Sequence, residues 1–123
     1  NQIIEVGFQR DIRPFLAISN VLVFPSYREG FPNVIMQAGA MGLPVIATDI
    51  NGCNEIILHG ENGILIPKKN TAKIEIALLM LRNNVKLYEK LQSNARNMII
   101  TRFERKKVCE TILDEYKSLE KSL

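Results

Sequence analysis

Metal and redox chemistry find little to work with in this sequence. It has one histidine, His59, and two cysteines, Cys53 and Cys109, set far apart with no C-x-x-C spacing. Zinc and iron–sulfur sites draw on clustered Cys and His, so no metal is expected. The two thiols read most simply as free, in a reducing compartment. Long apolar runs are missing too. The longest covers residues 76–81 and lies inside a helical pattern, far short of the ~20 residues that cross a bilayer. No internal repeat, low-complexity segment or linker divides the chain. Charge of one sign is also scarce: 16 Lys and Arg against 13 Asp and Glu leave a formal charge of +3. That bias suits anionic ligands or surfaces and does not argue for a nucleic-acid partner.

What is present is a domain-sized chain of 123 residues, 46% hydrophobic, enough for a real core. It does not begin with Met and opens on what reads as the edge of a strand. The expectation is therefore a piece of a longer protein, with something N-terminal to it. Residues 3–7 read as a short strand. Asp11 can cap a short helix running through Ser19, with Pro14 tolerated in its first turn. Residues 21–24 are a continuous apolar run, as in a strand covered on both faces, and Pro25 and Ser26 end it. Residues 27–32 read as loop and 33–41 as helix, stopped by Gly42. Residues 45–48 follow as a second buried strand. A polar turn over 49–52, a short helix over 54–59 ended by Gly60, and a strand over 64–66 complete a β-α-β-α-β-α-β pattern. Apolar strands with short connections predict an α/β fold, a Rossmann-like parallel sheet with flanking helices. After Pro67 the pattern turns helical. Thr71 can cap a helix to about Arg82. Apolar stripes follow at Ile74, Ala77, Leu78 and Leu81, at Leu87, Leu91, Ala95, Met98 and Ile99, and at Val108, Ile112, Tyr116 and Leu119. Each stripe is most simply a packing face. Residues 68–123 are thus read as the helical part of the same 1–123 domain.

The most informative stretch is residues 28–44, REGFPNVIMQAGAMGLP. A polar loop with a carboxylate and a glycine runs straight into a helix. Backbone N–H groups at a helix start are unpaired and carry partial positive charge. They suit a phosphate or the hydroxyls of a sugar. Glu29, beside them, can accept hydrogen bonds from a neutral polyol. Gly30 lets the backbone approach a ligand with no β-carbon in the way. The local design fits a ligand with both anionic and hydroxyl groups.

These residues resemble the donor-binding half of the family four retaining glycosyltransferases, which have the GT-B architecture. That family carries two glutamates with seven residues between them, in text like E-G-F-x-x-x-x-x-E-A-x-x-x-G-x-P-V-I-A. Glu29 matches the first glutamate, and Gly30, Phe31, Ala38, Gly42, Pro44, Val45, Ile46 and Ala47 match around it. The runs at 48–57 (TDINGCNEII) and 60–67 (GENGILIP), and Pro25-Ser26 upstream, agree as well. The resemblance spans roughly residues 7–67, and its wording is nearest to bacterial enzymes of capsule and surface-polysaccharide synthesis. One departure stands out. Gln37 occupies the second glutamate position, which in the family resembles a clamp for ribose hydroxyls. An amide carbonyl still accepts hydrogen bonds but lacks charge, and charge-assisted bonds are roughly twice as strong.

The resemblance implies a nucleotide-sugar donor (a UDP-, GDP- or ADP-sugar), held by Gly30, Phe31, Pro32, Asn33, Val34 and Gln37, with Glu29 positioning the donor sugar. It implies that Phe8 lies by the nucleobase; the plainer reading of Phe8 is a core aromatic. It implies no metal and no cofactor, a missing N-terminal acceptor domain, and an Arg and a Lys on a segment upstream of this chain that stabilise the leaving diphosphate. Asn33 can instead be a helix cap and Gln37 a solvated helix residue. Asp49 and Glu55 face the same choice between ligand contact and turn or cap formation. The basic cluster Arg102, Arg105, Lys106 and Lys107 is either a contact for an anionic membrane or a solvated helix start. The expected location is cytoplasmic, peripheral at the inner membrane face. The competing function is a non-catalytic nucleotide-sugar-binding or interaction module with a weakened site at Gln37.

Overall fold

A computed structural model describes residues 2–121. Its elements run α1 (Arg13–Ile18), β1 (Leu22–Phe24), α2 (Asn33–Ala40), β2 (Val45–Thr48), α3 (Cys53–Ile56), β3 (Gly63–Ile66), α4 (Thr71–Asn83), α5 (Val85–Phe103) and α6 (Arg105–Lys121). The sheet is three-stranded and parallel, in the order β1-β2-β3. Parallel neighbours need crossover connections, and α2 and α3 supply them.

β2 lies in the middle and is buried along its whole length. Successive strand side chains point to opposite faces, and the two faces meet different partners. Val45 and Ala47 join Leu16, Ile35 and Ala38 of α2, Cys53 and Ile56 of α3, and Ile99 of α5. Ile46 joins Ile64 and Ile66 of β3, Ala77 and Leu81 of α4, and Leu91 of α5. Each Val, Leu or Ile among them contributes about 1.5–3 kcal/mol when fully buried. α5 therefore serves both cores and ties the helical part to the sheet. Its approach to α2 is close enough that a β-carbon on Gly39 would stand 2.6 Å from Ile99 Cγ1.

Several elements differ from the sequence reading. Residues 3–7 form no strand, and Ile3, Ile4 and Val6 are exposed. A strand needs a hydrogen-bonding neighbour, and among the described residues β1 pairs with β2 alone. β1 is half-buried rather than covered on both faces, because it is an edge strand. At α1, Ile12 is the capping position, and Asp11 accepts the Arg13 N–H from one residue further out, at 3.0 Å. α3 stops at Ile56 instead of reaching His59. The side chain of Asn62 takes the Leu58 N–H at 2.8 Å, and His59 turns to bridge with Gly63. Asn70, not Thr71, caps α4 by accepting the Lys73 N–H at 3.1 Å. The largest difference is α6. Its apolar stripe buries nothing: Val108, Ile112, Tyr116 and Leu119 are all exposed.

Candidate functional site

The carboxyl ends of all three strands open on one cleft. The loop after β1 contributes Tyr27, Arg28 and Glu29, the turn after β2 contributes Asp49, Ile50 and Asn51, and the segment after β3 contributes Lys68. The cleft holds about 570 Å³. Its lining is polar, with carboxylates and cations together. The crevice outside the carboxyl ends of parallel strands is the usual ligand position in doubly wound sheets.

Glu29 is half-buried in this cleft. Ser26 Oγ donates to its Oε1 at 2.7 Å. Behind it lies Cys53, fully buried. Burial pushes the Cys53 thiol up to about 11, and the nearby Glu29 charge adds to the effect. The loop is held at both ends. The Thr48 hydroxyl, at the buried end of β2, donates to the Ser26 carbonyl. At the other end the Gly30 carbonyl rests against Gly52, where a β-carbon would lie only 2.1 Å from the Gly30 oxygen. Gly52 also has φ +80°, a backbone conformation that other residues rarely take.

The other candidate residues spread away from Glu29. Gly30 is exposed, and a β-carbon there would meet only open space. Phe31 turns outward and meets Phe103 edge to face, ring centroids 5.5 Å apart. Pro32 is buried, and its ring lies against Gly52. Asn33 opens α2 and Gln37 follows one turn later, both exposed. That spacing sets them on one side of the helix. Val34 packs on the core. Phe8 is 91% exposed, which overturns its reading as a core aromatic.

Glu55 and Asp49 serve the turn. Glu55 Oε1 accepts the Gly52 N–H at 3.2 Å, and Asp49 accepts from the Asn54 amide at 2.9 Å. The basic cluster divides. Arg102 donates to the Ile56 and Glu55 carbonyls at the end of α3 and lies over the Phe103 ring. Lys107 Nζ donates to the Thr101 carbonyl at 2.6 Å. Arg105 and Lys106 remain as exposed surface cations. Among the described residues, no three His, Cys, Asp or Glu side chains converge as a metal site requires, and no helix is long and apolar enough to cross a membrane. Sequence reasoning missed Ser26, Thr48 and Gly52 as parts of the site. The Thr48–Ser26 bond and the Gly52–Gly30 contact join distant segments, which no local pattern announces.

A parallel sheet between helices, with a polar cleft at its carboxyl edge, is a Rossmann-like arrangement, and its solved neighbours are glycosyltransferases of GT-B architecture. A solved structure of Anabaena Alr3699/HepE in complex with UDP superposes with a TM-score of 0.87 at 25% identity, over 92% of this chain and 31% of that one. The C-terminal domain of a group 1 glycosyl transferase family protein, LpcC of Francisella tularensis, superposes with a TM-score of 0.73 at 29% identity, covering 84% of this chain and 53% of that one. The chain belongs to the family of group 1 glycosyl transferases, whose model matches residues 1–84. The capsular polysaccharide biosynthesis glycosyltransferase CapM of Staphylococcus aureus is 33% identical over 97 residues, which cover 79% of this chain and 26% of that protein. An Escherichia coli UDP-Gal:alpha-D-GlcNAc-diphosphoundecaprenol alpha-1,3-galactosyltransferase is 33% identical over 111 residues, covering 90% and 28%. The chain thus spans about a quarter of the length of the curated relatives it matches.

Proposed function

We propose that this chain is the donor-binding, C-terminal half of a retaining family four glycosyltransferase. The complete protein moves a sugar from a nucleotide sugar to a glycan or lipid-linked acceptor in bacterial polysaccharide synthesis. The observation that carries this reading is Glu29, set in a cleft that all three post-strand segments build together. A carboxylate accepts hydrogen bonds through several lone pairs, which suits a donor sugar's hydroxyls. The start of α2 follows on the same loop and offers N–H groups to a diphosphate. Gln37, one turn along α2, accepts from a ribose hydroxyl through its carbonyl. Solved neighbours in complex with UDP and UDP-glucose support the choice of ligand class.

The reaction builds positive charge at the anomeric carbon while the diphosphate departs. Aligned N–H dipoles and cations stabilise that leaving group. In this reading Glu29 orients the sugar and is not the nucleophile. The acceptor domain completes the interdomain cleft, an Arg and a Lys upstream of this chain meet the leaving diphosphate, and no metal or cofactor takes part. This chain by itself is inactive.

The test is Glu29→Ala in the complete protein. A lost charged hydrogen bond costs about 1.5–3 kcal/mol, so sugar transfer should fall roughly 10- to 100-fold, with the melting temperature unchanged. Turnover at the original rate would remove Glu29 from the site. The neutral Gln37 favours a second reading, a nucleotide-sugar-binding module without catalysis. A complete protein that binds UDP-sugars yet transfers nothing to any acceptor would establish it.

A further inference from the structure

The Ser26 hydroxyl has two acceptors in range and one proton to give. Glu29 Oε1 lies at 2.7 Å, and the Arg28 carbonyl lies at 3.4 Å. A short bond to a charged oxygen outweighs a long contact with a neutral one. The proton is therefore committed to Glu29, and it occupies one lone pair of Oε1. Oε2 and the remaining lone pairs stay available to the cleft. Ser26 does not float on the loop. Its carbonyl accepts from Thr48 Oγ1, and Thr48 is 1% exposed at the end of the central strand. A line of hydrogen bonds thus runs from the buried sheet, through Ser26, to the carboxylate in the cleft.

We infer that Ser26 is a positioning residue: it fixes the Glu29 carboxylate in the orientation that receives the donor sugar, with Thr48 as its anchor. The inference rests on the donor-site reading of Glu29 given above. A glutamate on an exposed loop samples many rotamers, and fixing one in advance of binding removes that entropy from the encounter. Ser26 itself does not touch the sugar, so its whole effect passes through Glu29.

The experiment compares Ser26→Ala, Ser26→Thr, Glu29→Ala and the Ser26→Ala/Glu29→Ala double variant in the complete protein, together with Thr48→Val. Steady-state transfer and melting temperature are read for each. Ser26→Ala should lower kcat/KM for the nucleotide sugar about tenfold and leave the acceptor KM and the melting temperature in place. Ser26→Thr, which keeps the hydroxyl, should restore most of the loss. The double variant should be as slow as Glu29→Ala and no slower. Thr48→Val should give the same donor-specific loss in smaller measure, a second route should Ser26→Ala fold poorly. Glu29→Ala impaired with Ser26→Ala unimpaired would overturn this inference alone. So would a double variant whose loss is the product of the two single losses. Glu29→Ala at the original rate would overturn the donor-site reading and this inference with it.

Discussion

Cys53 shows at the scale of one residue how the site and the core share atoms. Its side chain is fully buried under the Glu29 loop, and its thiol is pushed from 9.0 up to about 11 by burial, with the Glu29 charge second. In the unfolded chain the thiol loses its proton near its ordinary value; in the fold it keeps the proton about two units longer. Between those values the unfolded state binds fewer protons, so stability falls as pH rises. Denaturant unfolding measured from pH 8 to 11 should show this decline, and Cys53→Ala should flatten it. Equal slopes in both proteins would mean that the thiol is not shielded as described. Glu29 was legible in the sequence because its loop and helix form one continuous run. Ser26 and Thr48 were not, since their bond joins positions 22 apart in the chain. Asn62 escaped notice for a related reason. It is 2% exposed, and its amide bonds the Leu58 N–H and the Ile56 carbonyl, yet in the sequence it is one polar residue of a turn.

Among elements, the informative pair is the loop after β1 and the turn after β2. They meet where the Gly30 carbonyl and the Pro32 ring are seated against Gly52. Gly52→Ala puts a β-carbon into that carbonyl and into a conformation that alanine resists. Strained backbone of this kind costs about 1–3 kcal/mol, so the melting temperature should drop by several degrees. The loop carrying Glu29 should shift as well, and donor affinity should weaken with it. A Gly52→Ala protein with unchanged stability would show that the two segments separate freely. Strand β2 could be read from three consecutive apolar residues closed by Thr48, and its predicted bounds match the structure. The length of α3 could not, because side chains of Asn62 and His59 end it from beyond. The pattern at residues 3–7 is strand-like, but pairing depends on a neighbour, and that is not a local property.

For the whole molecule, α6 is the discordant part. The stripe periodicity that marked α4 and α5 as packing helices was right for them, since Ala77, Leu81, Leu91, Ala95 and Ile99 are buried. The same pattern on α6 stays exposed, with Val108 at the edge of an apolar hollow beside Phe31, Met36 and Phe103. Periodicity reports that a face is apolar and is silent on whether a partner meets it. Removing residues 105–123 should therefore lower the melting temperature by less than about 4 °C, under about 1 kcal/mol for a domain of this size, with cooperative unfolding retained. A collapse of the transition would show that α6 supports the core. Fold class was the most legible feature of all, because alternating apolar strands and short crossover helices admit few arrangements.

One consequence follows from where the cleft is built. Every group lining it hangs from a strand end, while the strands themselves face helices on both sides. Exposed lining residues can thus change without disturbing the buried strands. A library that randomises Tyr27, Arg28, Asn51 and Lys68 and leaves the strands alone should consequently yield mostly folded proteins that differ in what they hold.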